Sequence, residues 1–384
     1  MVKRFCLSLA RLTFLLLVLV SCAPGNAPTP ATPAPAVPVP VVAPTSNLSP
    51  LASQDAAWEN VLQAATKEGR VTIYSFNFTG DLGLMLQKAF EQRYGIDLEI
   101  ITGRGAEFIE RLKTEKRVGQ ITADATEGSA IHVKAMKVDG ITVSVAAELP
   151  SLGEKGKWMI DPFALDPQDK HLIVHFISTY APHYNTRLVK PGEEPKVWSD
   201  LLDPKWKGKM TLTDHNISGG PYLLFPPLIR EKILDESFIK ALYKQDLRFA
   251  TSVVDETAQL ARGEQYLMIR GADSISARFV AEGAPIKAAE MQDGTTLSPG
   301  TAAAIKGSSH PNAAKVFLNW IMSQEGQTVH GEGKKMGSVR TDVKDFRPAP
   351  IAFVPRRPVV MTVEDSDDGT RLFNQKWINK LIGQ

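Results

Sequence analysis

Between residues 71 and 138 the chain alternates strand and helix three times, which restricts its fold more than any other feature of its 384 residues. Val71-Thr72-Ile73-Tyr74-Ser75 is rich in β-branched and aromatic side chains and reads as a strand. Leu82, Leu86, Ala89, Phe90 and Tyr94 recur at helical spacing, and Gly95 ends the helix they define. Leu98-Glu99-Ile100-Ile101 predicts a second strand and residues 106–118 a second helix. Thr122-Ala123-Asp124-Ala125 predicts a third strand, with a helix over 131–138 after it. An earlier helix carries Trp58, Val61, Leu62 and Ala65 and stops at Gly69. Strands joined through helices pair in parallel, and ligands of such sheets collect beyond the carboxyl ends of the strands. Those ends are Ser75-Phe76-Asn77-Phe78, Thr102-Gly103-Arg104-Gly105 and Glu127-Gly128-Ser129.

The first residues are read as a leader. Lys3 and Arg4 precede a short apolar run, 12–20, too short for a comfortable membrane span. Leu19-Val20-Ser21-Cys22 then resembles the lipobox of bacterial lipoproteins, which implies removal of 1–21 and acylation of Cys22. The other cysteine, Cys6, lies within the leader, so the body is expected to have no disulfide and no Cys-based metal site. Without Lys3, Arg4 and Arg11 the 44 basic residues fall to 41 against 42 acidic ones. That balance carries no nucleic-acid footprint. Nine of the 26 prolines fall within 23–50, a composition that favours extended polyproline II and reads as a tether. No P-loop, GxGxxG or internal repeat is evident.

In the middle of the chain, Met210 to Thr213 alternates apolar and polar and predicts a strand. Ser218 then stands as an N-cap, with Pro221 in the first turn of a helix through Leu224. Gly219 and Gly220 leave that helix end bare, so its free N–H groups and positive dipole end suit an oxyanion. An ordinary capped helix is the alternative reading. Helices are expected over 231–245 and 255–263, and a strand over 266–269 that leads to Arg270.

Several stretches together resemble the bacterial extracellular solute-binding proteins of the ferric-iron-transport type. They include Trp58, Lys67-Glu68-Gly69-Arg70-Val71, Tyr94-Gly95-Ile96, Ala123-Asp124 and Tyr184-Asn185-Thr186. Trp198-Ser199-Asp200-Leu201-Leu202-Asp203-Pro204, Ser298-Pro299-Gly300, His310-Pro311 and Glu325-Gly326-Gln327 continue the likeness, which runs from about residue 58 to 345. The resemblance implies an α/β, two-lobed type II periplasmic-binding-protein fold, each lobe a mixed sheet flanked by helices, hinged by crossing strands. The expected organisation is a signal peptide over 1–21 and lipidated Cys22 with a tether over 22–54. Lobe 1 is expected over 55–171 and again over 289–345, lobe 2 over 172–288, and a segment packing back over 346–384.

The ferric relatives hold metal with a tyrosine pair on the second lobe, and counting back from Gly283 puts those positions at Asp273 and Ser274. A histidine of the family falls at Phe78, and a glutamate near Ser129, two residues after Glu127. Asp273, Glu127 and Tyr184 remain as oxygen donors for a hard ferric ion. Ser218-Gly219-Gly220 falls where those relatives hold a synergistic anion. Arg104 follows the second strand and suits a carboxylate or phosphate, against the plainer reading of a solvated loop charge. Arg270 ends a strand, with an ion pair to Asp273 or Asp255 as its alternative. Phe76 and Phe78 offer rings for stacking or for core packing. His171 and His175, without a third ligand, make a poor zinc site.

The expected ligand set is therefore Ser75, Asn77, Arg104, Glu127, Ser129, Tyr184, Ser218, Gly219, Gly220, Arg270, Asp273 and Ser274. The expected protein is a monomeric, lipid-anchored, extracytoplasmic and non-enzymatic binding component of an ABC importer. It needs no cofactor and meets a permease, a small anionic solute or ferric chelate, and no nucleic acid. Direct ferric binding and a thiamine-like ligand are alternatives within that class. A secreted hydrolase using Asp214, His215 and Ser218 is the alternative outside it.

Overall fold

The computed structural model describes residues 52–215 and 221–365, together with Lys380 and Gly383. Cys22 and Ser218-Gly219-Gly220 therefore lie outside the described residues. Among the described residues no helix is long and apolar enough to cross a membrane.

The chain opens with α1 (Ala52–Glu68), β1 (Arg70–Ser75), α2 (Gly80–Tyr94), β2 (Asp97–Thr102), α3 (Gly105–Val118), β3 (Ala125–Ser129) and α4 (Ala130–Val138). β1 pairs in parallel with both β2 and β3, as the alternation requires. Gly95 closes α2 in the left-handed conformation, its N–H bonded to Glu91 O. The third strand starts three residues later than its sequence suggests, because Asp124 is spent on tying segments together. Its carboxylate accepts from Thr72 N (2.7 Å), Ser308 Oγ (2.6 Å) and His310 N (3.1 Å).

β4 (Thr142–Val143), β5 (Ile173–Asn185), β6 (Met210–Thr213), α5 (Phe225–Arg230), α6 (Glu236–Tyr243), β7 (Arg248–Ala250), α7 (Val253–Arg262), β8 (Leu267–Ala272) and α8 (Asp273–Ala281) follow. The helix expected over 231–245 begins only at Glu236. Lys232 takes a left-handed φ of 55°, and Asp235 caps the new start by accepting from Phe238 N at 3.0 Å. β8 runs past the expected 269 to Ala272, so Arg270 sits within it. β9 (Ile286–Ala288), β10 (Thr295–Ile305), α9 (Pro311–Met322), α10 (Gln324–Lys334) and β11 (Pro358–Val360) complete the described elements.

One sheet runs in the order β2-β1-β3-β10-β5-β8-β6-β7, with β4 and β11 on β10 and β9 on β5. It carries two main hydrophobic cores. Ile73, Leu86, Phe90, Phe317 and Trp320 belong to the first; Trp198, Leu212, Phe225, Ile239 and Ile269 belong to the second. β5 supplies Ile173, Val174 and Ile177 to the first and Tyr180, Ala181 and Tyr184 to the second. It is the crossing strand, paired antiparallel with β10 along most of its length. These two lobes and their shared strands match the expected architecture.

The register sets the crevice. Ser129, the carboxyl end of β3, is level with Gly300, which is level with Phe176 of β5. Ala272, the carboxyl end of β8, is level with Tyr180. The two parallel groups thus end facing one another across four residues of β5, roughly 13 Å of strand. Gly300 lies at that floor because the Phe176 ring crosses its Cα and fills the space of a Cβ. Gly300→Ala is expected to cost about 1–3 kcal/mol by overpacking, read from urea denaturation; an unchanged midpoint would mean that the Phe176 ring moves freely.

Candidate ligand-binding crevice

On the first lobe, the turn after β1 is held from beneath by Glu127. Its carboxylate accepts from Ser75 Oγ (2.6 Å), Asn77 N (3.0 Å) and Asn77 Nδ2 (2.6 Å), and His175 Nε2 lies 3.2 Å from Oε1. Ser75 Oγ in turn accepts from Phe78 N at 2.9 Å. Burial alone would raise the Glu127 pKa, but the hydrogen bonds from His175, Ser75 and Asn77 outweigh it and hold it down at about 2. Glu127 is thus a satisfied internal anion, buried to 2% exposure, rather than a group offered to solvent. Lys334, at the end of α10, adds a 3.4 Å contact to Asn77 O. Phe78 is core, at 1% exposure, whereas Phe76 projects at 49%.

On the second lobe, Arg270 is 3% exposed, and its Nε and Nη1 have no hydrogen-bond partner. Its guanidinium carbon lies 4.3 Å from the centre of the Tyr180 ring. Stacking supports the cation but satisfies none of its N–H groups. Neither Asp273 nor Asp255 pairs with it: Asp273 binds Arg347 at 3.1 Å, and Asp255 accepts from Thr251 N at 3.0 Å. The nearby carboxyl is Glu256 on α7, a helix begun by Ser252, whose side chain accepts from Asp255 N at 3.1 Å. Glu256 Oε2 accepts from Thr213 Oγ1 at 2.6 Å, while Oε1 is buried without a partner. Burial pushes the Glu256 pKa up to about 8, against the opposing hydrogen bond of Thr213 and charge of Arg270. Burial thus favours the protonated form of Glu256, and neither of its oxygens bonds the free Nε and Nη1 of Arg270.

The remaining expected residues separate. Arg104 is exposed at the start of α3, its backbone N–H 3.4 Å from Glu107 Oε2. Ser129 Oγ lies 2.6 Å from His132 Nδ1. Ser274 Oγ accepts from Ser178 Oγ at 3.2 Å, on the crossing strand beside the crevice. Burial raises the Asp273 pKa, and Arg347 opposes that rise. Tyr184 lies level with Leu267, at the starting end of β8 and away from the crevice. Burial, then Glu194 and Glu290, push its pKa up to about 12. The three oxygen donors expected for iron thus do not converge, and no group of three or more His, Cys, Asp or Glu able to hold a metal occurs among the described residues. His171 and His175 also part, bonding Thr142 Oγ1 and Glu127. His215 lies 3.8 Å from Asp214 and packs on Tyr243 and Phe249, while Ser218 lies outside the described residues. Tyr180, Ser178 and Arg347 went unnoticed in the sequence, where Asp255-Glu256-Thr257 reads as a helix-capping run rather than a ligand set. Only the position of Ser178 and Tyr180 just past the expected lobe boundary at 171/172 pointed to them.

Two measurements test this electrostatic picture. Glu127→Ala is expected to cost about 3–5 kcal/mol in urea denaturation at pH 7, since it strips the rim turn of its acceptor. The Glu127 pKa is lowered by folding, so its contribution is present above pH 4.5 and fades as pH falls towards about 2. The gap between wild type and variant should narrow over that range. Glu256 has the opposite sign: its raised pKa makes stability fall as pH rises from 4.5 to about 8. Glu256→Gln should abolish that decline, melting above wild type at the alkaline end of the range; parallel curves would show that Glu256 stays ionised.

The chain matches the family model described as bacterial extracellular solute-binding protein over residues 86–356. It is similar to an uncharacterised protein of Haemophilus influenzae, 24% identical over 344 residues that cover 85% of this chain and 94% of that one. It is similar in fold to the periplasmic binding protein AfuA of Actinobacillus pleuropneumoniae with fructose-6-phosphate bound. That likeness has a TM-score of 0.59 at 22% identity, covering 82% of this chain and 97% of AfuA. Trichodesmium FutA in complex with iron and citrate gives a TM-score of 0.65 at 19% identity, covering 82% and 99%. These likenesses fix the architecture as the type II periplasmic-binding-protein fold. With two lobes, a crevice between opposed strand ends and a family match over most of its length, the chain belongs to the bacterial extracellular solute-binding proteins.

Proposed function

We propose that this protein is the extracytoplasmic binding component of an ABC importer, lipid-anchored through Cys22, and that it captures a small anionic organic solute. Arg270 carries this reading. A guanidinium at 3% exposure with two unpartnered donors is costly to bury, and an oxyanion is a group that satisfies it. Phosphate esters, phosphonates, carboxylates and a ferric chelate such as citrate all present that chemistry. The fructose-6-phosphate of AfuA and the citrate of FutA are anions of this class in relatives of the same fold.

Residues 55–171 with 289–345 act as one lobe and 172–288 as the other. Solute bridging the strand ends of both favours the closed state, which a permease reads. The protein acts by binding, as a monomer, and transforms nothing. The Pro-rich tether over 23–50 holds the body off the membrane.

Calorimetry with fructose 6-phosphate, phenyl phosphate, a phosphonate and citrate tests the reading. Whichever solute binds the wild type is expected to lose about 2–3 kcal/mol in Arg270→Gln, the size of a buried charge-assisted contact. Full affinity in that variant, with its fold intact by circular dichroism, would remove Arg270 and the anion from the mechanism.

A further inference from the structure

The first-lobe side of the same crevice says something about the rest of the solute. Phe76 is the first residue beyond β1, so it stands at a strand end that faces the gap. A lone exposed apolar side chain is ordinary on a surface. Phe76 differs in having its backbone held in place on both sides. The residues on either side of it, Ser75 and Asn77, are bound to the buried Glu127 carboxylate, and its own N–H donates to Glu127 O at 3.2 Å. The neighbouring position on β3 is Gly128, where a Cβ would lie 3.8 Å from Phe76 Cβ, so no side chain covers the ring from that strand. Phe78, two residues on, goes into the core against Phe317 and His330. The turn therefore buries one phenyl group and presents the other at 49% exposure. The opposed strand end carries Arg270 on its Tyr180 platform.

We propose that the crevice takes an aryl or heteroaryl oxyanion, its anionic group received by Arg270 of the second lobe and its planar ring received by Phe76 of the first. This rests on the anion reading of Arg270 and adds the chemistry of the solute's body. A ring held on Phe76 loses water from both faces when the lobes close, so each end of the solute is gripped by a different lobe. Such a two-ended ligand couples binding to closure more strongly than an anion alone, because neither lobe by itself satisfies it.

Isothermal titration of the full chain with phenyl phosphate and with glycerol 3-phosphate separates the two readings. Wild type is expected to bind phenyl phosphate at least about tenfold tighter, the range of a base stacked on an aromatic side chain. Phe76→Ala is expected to reduce that preference to about threefold or less while leaving glycerol 3-phosphate binding within about threefold. Phe76 is half exposed, so its removal spares the core, and a Phe76→Trp variant that keeps the preference excludes a general defect of the turn. Arg270→Gln is expected to weaken both phosphates by about thirtyfold or more. An equal loss of both phosphates in Phe76→Ala, an unchanged preference there, or no binding of phenyl phosphate to wild type overturns the proposal. Strong binding of both phosphates by Arg270→Gln overturns instead the anion reading beneath it.

Discussion

Two long strands hold the molecule together and define where it can act. β5 and β10 lie antiparallel at the centre of the sheet, and β5 is buried along nearly its whole length because it serves two cores in turn. A shift of one residue in their pairing would turn Tyr180 and Ser178 to the opposite face and expose half of each core contribution. The pairing also fixes the levels at which the flanking parallel strands stop. The crevice is thus a consequence of strand register rather than of any loop.

Within that frame the protein buries charge in two different ways. Glu127 is fully served by donors from β1, the turn after it and β5, and it behaves as part of the scaffold. Its effect on the crevice is indirect, through the fixed position of residues 75–77. Arg270 is equally inaccessible but is left with free donors against the face of Tyr180, and burial raises the pKa of the nearby Glu256 carboxyl. An unsatisfied buried polar group costs about 1–3 kcal/mol, more when charged. The anion proposed for the crevice is a group that would offset that cost at Arg270.

Much of the fold was legible. The apolar spacing over 71–138 foretold β1, α2, β2, α3 and α4 to within two residues of where they lie, and Met210 to Thr213 is β6. Such elements are announced by local periodicity, with glycines such as Gly69 and Gly95 punctuating them. The third strand was misplaced because Asp124 is fixed by Ser308 and His310, far off in sequence. The candidate site was less legible. Ser75, Asn77 and Glu127 were noticed as polar residues at strand ends, yet they bond one another. Asp273 was noticed as a donor, yet Arg347 answers it across 74 positions of chain.

From the sequence alone came the strand–helix alternation, the kinship and the residue types at the strand ends. All of these depend on interactions within a few residues or on composition. Tertiary structure alone decided which charges would be neutralised, by pairing Asp273 with Arg347, enclosing Glu127 among donors and leaving Arg270 against Tyr180. The physical reason is range: a charge is priced by whatever surrounds it in space, and in a sheet woven from distant strands those surroundings come from all parts of the chain.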